Sequence, residues 1–200
     1  MARIIFVVAL LAAAGAAGPA ARAGGWSDRV ADPVPAEKLI ERWSFRARAA
    51  ARLTMARYGM PDEVRAESLI WRANGPWKRT VVHRDAWRRY AFWADRYHVE
   101  NALAYDVPAR CLADLARFDD RLIAEPGRGE LAARSGSETE NYLLLNVADE
   151  IVNGKRTVAD ARAFSARILR LADSGKSSPY LTGLLFAADG DAVSRASPSP

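Results

Sequence analysis

Apolar positions change their spacing several times along this chain, and each change marks an element. Ile4 to Ala17 is apolar or small without a break. From Pro35 the pattern turns helical: Leu39, Ile40, Trp43, Ala47, Ala50, Leu53 and Met55 recur at three- and four-residue steps, the spacing of one helix face. Pro35 suits a first turn, Glu37 and Glu41 suit its positive end, and Gly59 with Pro61 stop the run. A single first helix is predicted. The period then drops to that of strands. Ser68–Arg72 and Trp77–His83 flank Asn74-Gly75-Pro76; this is turn chemistry between two runs of strand character, so a β-hairpin is predicted.

Trp87, Tyr90, Trp93 and Tyr97 recur every three or four residues. That spacing fits a helix or an aromatic loop laid on the sheet, and the loop is the preferred reading. Val99–Val107 reads as a strand, Pro108 opens a short helix through Phe118, and Arg121–Ala124 and Glu130–Ala133 read as strands around Pro126-Gly127-Arg128-Gly129. In the last third, Ser137-Glu138-Thr139-Glu140 is a capping-box sequence, and Leu144, Val147, Ala148 and Ile151 form a helical stripe ended by Asn153-Gly154. Thr157 caps a further helix with Ala161, Phe164, Ile168 and Leu171; Ser178-Pro179 starts a last short one. Strands grouped between helices predict an α+β fold: an N-terminal helix, a central, mostly antiparallel sheet with hairpins, and a helical C-terminal third.

The ends set the domain plan. Arg3, the apolar run of 14 residues, Gly18-Pro19 and Ala21-Arg22-Ala23 follow one another in the order of a secretory signal peptide. The run is shorter than the roughly 20 residues of a membrane-spanning helix. The expected plan is a signal peptide over 1–23, a linker over 24–34, one α+β domain over 35–188 and a disordered tail over 189–200. Cleavage near Ala23 would place the mature chain in the periplasm or outside the cell, with no transmembrane segment. It also changes the charge: the leader holds two arginines and no acid, so the net charge falls from +5 to +3. That modest excess, on an exported chain, removes the reason to expect a nucleic-acid partner. The single cysteine, Cys111, allows no internal disulfide and sits among Leu112, Leu115 and Phe118, as a small core residue would.

Catalytic signatures are sparse. His83 and His98 are the only histidines. Their spacing is not that of a helical zinc site, so no metal or other cofactor is expected. They remain weak metal candidates, because facing strands could bring them to Glu100 or Asp85. The acid pairs Asp62-Glu63, Asp119-Asp120 and Asp149-Glu150 are adjacent, and adjacent side chains diverge. The densest feature is aromatic and basic: Trp71, Trp77, Lys78, Arg79, Trp87, Tyr90 and Trp93 crowd a short stretch. Rings beside cations either hold a ligand or cover a core. Trp77, Lys78, Arg79, Trp87, Tyr90 and Trp93 are the candidate binding residues. Arg42, Arg46, Arg48, Arg52 and Arg57 crowd the first helix. They read either as a solvated face or as a face for anions or a membrane surface.

The segments Tyr58-Gly59-Met60-Pro61-Asp62-Glu63, Leu69-Ile70-Trp71, Gly75-Pro76-Trp77-Lys78-Arg79-Thr80 and Gly129-Glu130-Leu131-Ala132-Ala133-Arg134 resemble a family of exported bacterial proteins with no established activity. The resemblance covers about residues 50–187 and implies a soluble or envelope-associated domain. Relatives tend to carry a His-x-Phe and Pro-rich segment where this chain has Tyr90-Ala91-Phe92-Trp93, which argues against an enzyme here. The expected function is a non-enzymatic binding or accessory protein of the cell envelope, its partner an envelope protein, a glycan or a small ligand. The alternative is a small hydrolase or metal-dependent enzyme using His83 or His98 with Glu100 or Asp106.

Overall fold

The structure, a computed structural model, describes residues 35–85 and 97–187. The expected leader, linker and tail, and most of the 84–97 segment with Trp87, Tyr90 and Trp93, lie outside the described residues.

Two helices, not one, open the domain: α1 (Ala36–Ile40) and α2 (Phe45–Tyr58). Ser44 causes the break. Its Oγ accepts the Ala47 N–H at 3.3 Å, capping a new helix where an unbroken one would have continued. The expected apolar stripe also shifts. Ala47, Ala50, Ala51 and Thr54 are buried, whereas Leu53 is 73% exposed. Small residues on the inner face allow close seating on the sheet.

Six strands follow: β1 (Glu63–Arg65), β2 (Ser68–Asn74), β3 (Trp77–His83), β4 (Val99–Ala104), β5 (Leu122–Glu125) and β6 (Glu130–Ser135). They form one antiparallel sheet in the order β1-β2-β3-β4-β6-β5. The β2–β3 hairpin turns where expected. Gly75 has φ +59°, the left-handed region that favours glycine, and a Cβ there would lie 3.3 Å from the Tyr58 ring, so a side chain would be strained and crowded. β1 is a three-residue strand without an apolar alternation of its own, held by its pairing to β2. Between β4 and β5 a 3-10 turn (Ala109–Cys111) leads into α3 (Leu112–Phe118). After the sheet come α4 (Glu138–Val152), α5 (Val158–Asp173) and a 3-10 turn at Pro179–Leu181. Helices before and after a six-stranded antiparallel sheet make this an α+β fold.

Two apolar clusters back one face of the sheet. Leu69, Trp71, Val82 and Val99 pack under α1 and α2 with Ile40, Trp43 and Ala47. Leu103, Leu131 and Ala133 pack under α4 with Leu144, Leu145 and Ala148, joined by Leu115 and Phe118 of α3 and by Ala161 and Ile168 of α5. Helix α4 lies between the sheet and the outer helices, so it is buried on nearly every side rather than along a stripe. Cys111 is a buried part of this second cluster. A polar chain crosses the same layer. Asn141 donates to Asn101 Oδ1 at 2.7 Å and to the Val99 carbonyl at 3.1 Å; Asn101 and Asn74 each donate to Thr80 Oγ1 at 2.9 Å.

Candidate functional site

Strand register assembles the first candidate site. Arg79 lies opposite Ala102, Val81 opposite Glu100, Glu100 opposite Arg134, and Ala104 opposite Glu130. Residues directly opposite share a face, so Arg79, Glu100, Glu130 and Arg134 stand on one side of the sheet. It is the side away from the helices: Ile70, Val81, Ala102 and Ala132 there belong to neither helix-backed cluster. The small side chains of Ala102 and Ala132 leave room for long charged ones to meet above them.

The charges pair closely. Arg79 donates to Glu100 at 3.1 Å and also to Glu130. Lys78 reaches Glu130 at 2.8 Å, and Arg128 lies 3.5 Å from it. Burial would push both carboxyls up, but their cationic partners outweigh it. His83 and Arg79 hold Glu100 below its ordinary value, and Lys78 and Arg79 do the same for Glu130. Burial pulls Arg134 down, with Glu100 only partly opposing it. Arg134 also ties the sheet to the connection beyond β3, donating to the carbonyls of Tyr97 at 3.0 Å and Asp85 at 2.9 Å.

His83 joins this group. Its Nε2 lies 3.2 Å from Glu100 Oε2, and an ionised carboxylate only accepts, so Nε2 carries the hydrogen. His98 is buried and donates Nδ1–H to the His83 carbonyl at 3.0 Å. The two histidines are therefore neighbours, and His83 is the one that reaches Glu100. Asp106 lies past the end of β4. Among the described residues no group of three His, Cys, Asp or Glu side chains is placed to hold a metal ion.

The other predicted site residues fare differently. Trp77 is 1% exposed and cannot offer a binding surface. Its ring lies 4.9 Å from that of Tyr142, and its indole donates to Glu138 at 2.5 Å. Lys78 keeps about half of its side chain exposed while reaching Glu130, and Arg79 is mostly buried between its two acids. Of the adjacent acid pairs, Asp149 and Glu150 diverge: Asp149 accepts from Tyr105 at 2.9 Å, while Glu150 accepts from Tyr180 at 2.5 Å and Arg156 at 2.6 Å. Asp62 and Glu63 instead meet at Arg72, Asp62 accepting its backbone N–H at 2.6 Å and Glu63 its guanidinium at 2.9 Å.

Glu138 is a second hub that sequence reasoning missed. Besides Trp77 it takes the Tyr58 hydroxyl, the Tyr142 hydroxyl at 3.4 Å and the Arg57 guanidinium at 2.8 Å. Burial and the Glu138 carboxylate together push the Tyr58 phenol well above its ordinary range. The only signal in the sequence was the capping-box pattern, and that holds by half. Ser137 accepts the Glu140 N–H at 3.2 Å, but Glu140 turns toward Arg121 instead of reaching back. Glu138 forms one wall of a cavity of about 450 Å³ between α2 and the start of α4.

Compared with protein-family models, with curated proteins and with solved structures, the chain matches none. The resemblance to exported bacterial proteins rests on its quoted segments alone.

Proposed function

We propose that this chain is an exported accessory domain of the cell envelope that works by surface contact rather than by catalysis. The observation that carries the reading is the closed pairing on the helix-free face of the sheet. Glu100 and Glu130 are each held by cations. A general base works with a lone pair free and near a substrate proton; here the acids are neutralised by the chain's own arginines. The apolar leader with its small-x-small site supports delivery to the envelope.

The His83–Glu100 contact is also the one observation that favours a hydrolase. The two readings separate in a turnover screen of purified protein against chromogenic esters, amides, glycosides and phosphoesters. The accessory reading expects no turnover above that of His83→Ala. Turnover that His83→Ala and Glu100→Gln both abolish would replace it with the hydrolase reading.

A further inference from the structure

Helix α2 has two apolar faces, and the fold uses only one. The inner face is small: Ala47, Ala50, Ala51 and Thr54 are buried. On the outer face Phe45 is 78% and Leu53 73% exposed, and Met60, just past the helix, is 55% exposed. Of the five exposed large hydrophobic side chains among the described residues, these three are the most exposed, and all fall in this one stretch. Phe45 and Leu53 stand on the outer half of one helix, and exposed apolar side chains gathered on one element mark a candidate contact surface.

Helical geometry arranges what surrounds these side chains. Phe45, Ala49 and Leu53 stand four residues apart, in line along the helix. At 3.6 residues per turn, Arg46 and Arg57 fall on one flank of that line and Arg48 and Arg52 on the other. The helix holds four arginines and no acid. Arg57 pairs with Glu138, yet its side chain remains 54% exposed. An apolar line flanked on both sides by cations is the pattern of a helix lying in a membrane interface. The rings and aliphatic groups enter the headgroup–acyl boundary, and the guanidiniums stay level with the phosphates.

We infer that the outer face of α2 docks on an anionic phospholipid surface, an inference that rests on the envelope reading only for where the chain meets such a surface. Charge complementarity selects this occupant. A second copy docking through the same face would bring two sets of arginines together, at a cost in repulsion. Anionic lipid supplies the opposite sign at every flank, and each arginine at the surface adds to the binding.

The test is vesicle co-sedimentation of the full chain, using phosphatidylcholine with and without an equal part of phosphatidylglycerol. Two double variants are compared with the parent chain: Phe45→Ser with Leu53→Ser, and Arg46→Gln with Arg52→Gln. The apolar N-terminal run is common to all three, so differences report on α2. Each pair should lower affinity for the anionic vesicles by about tenfold or more, and salt should weaken the parent chain more than the arginine variant. Urea midpoints check that all three chains fold. Equal binding by the three overturns the inference. So does a concentration-dependent dimer that the Phe45/Leu53 pair dissolves while vesicle binding stays unchanged. Neither result touches export or turnover, so this failure and that of the envelope reading are distinguishable.

Discussion

Trp77 donates its indole N–H to Glu138 Oε1 at 2.5 Å, tying the β2–β3 hairpin to the first turn of α4 across 61 residues of chain. An aromatic residue that reads as a candidate binding group is here a structural tie. Trp77→Ala should destabilise the domain by about 3–5 kcal/mol, the cost of a buried aromatic left as a cavity. Trp77→Phe refills most of the space and should cost clearly less. Urea unfolding measures both; a near-neutral Trp77→Ala would return Trp77 to the surface.

The paired acids on the helix-free face of the sheet set an acid limb. Glu100 and Glu130 titrate from 4.5 when unfolded and lower when folded. Between those points the unfolded chain binds more protons, so stability is fully present above the unfolded value and is lost as pH falls through the folded one. The stability of Glu130→Gln and Glu100→Gln should fall less steeply below about pH 4.5 than that of the parent chain. Glu130→Ala, which strips Arg79 of a partner, should cost about 2–3 kcal/mol at neutral pH, under the full buried-pair range because Arg79 keeps some exposure. Urea midpoints across pH check all three.

Much of the architecture was legible in local chemistry. Asn74-Gly75-Pro76 placed the hairpin turn, Ser137 and Thr157 placed two helix starts, and Cys111 read correctly as core. The misses share a cause. Ser44 looks like any polar residue on a helical stripe until its hydroxyl is seen capping Ala47. Leu53 looks like core because its neighbours at helical spacing are apolar, yet tertiary packing chose the alanines. The charged site was half visible: Arg79, His83 and Glu100 stood out, but Glu130 joins them only through strand register. Glu138 was invisible as a hub, because its partners Tyr58, Trp77 and Tyr142 come from three separate elements.

Tyr58 should resist alkaline titration. Burial and Glu138 raise its pKa above that of a free phenol. Above about pH 10 the unfolded chain gives up this proton while the folded chain keeps it, so stability should fall as pH rises further. Burial also raises Tyr142 and Tyr180, so ultraviolet titration should show a late phase of several phenols, and Tyr58→Phe should reduce its amplitude by one phenol. A full complement of freely titrating tyrosines in the folded state would contradict it.

The buried polar chain offers a further test. Asn101 both accepts from Asn141 and donates to Thr80. Asn101→Ala strands a buried donor and should cost about 2–4 kcal/mol, combining the lost bonds with the desolvation of what remains. Simultaneous Asn101→Ala and Asn141→Ala should cost less than the sum of the single changes, since the pair acts together. A double-mutant cycle in urea reads the coupling; strict additivity would show that the two amides do not depend on each other.

The account stands on delivery of this domain to the envelope. The most direct measurement is the location, intact mass and N-terminal sequence of the chain recovered from fractionated bacterial cells expressing it. The expected product is periplasmic and begins at Gly24, immediately after Ala23. A chain that keeps Met1 and stays with the cytoplasmic fraction would contradict the account.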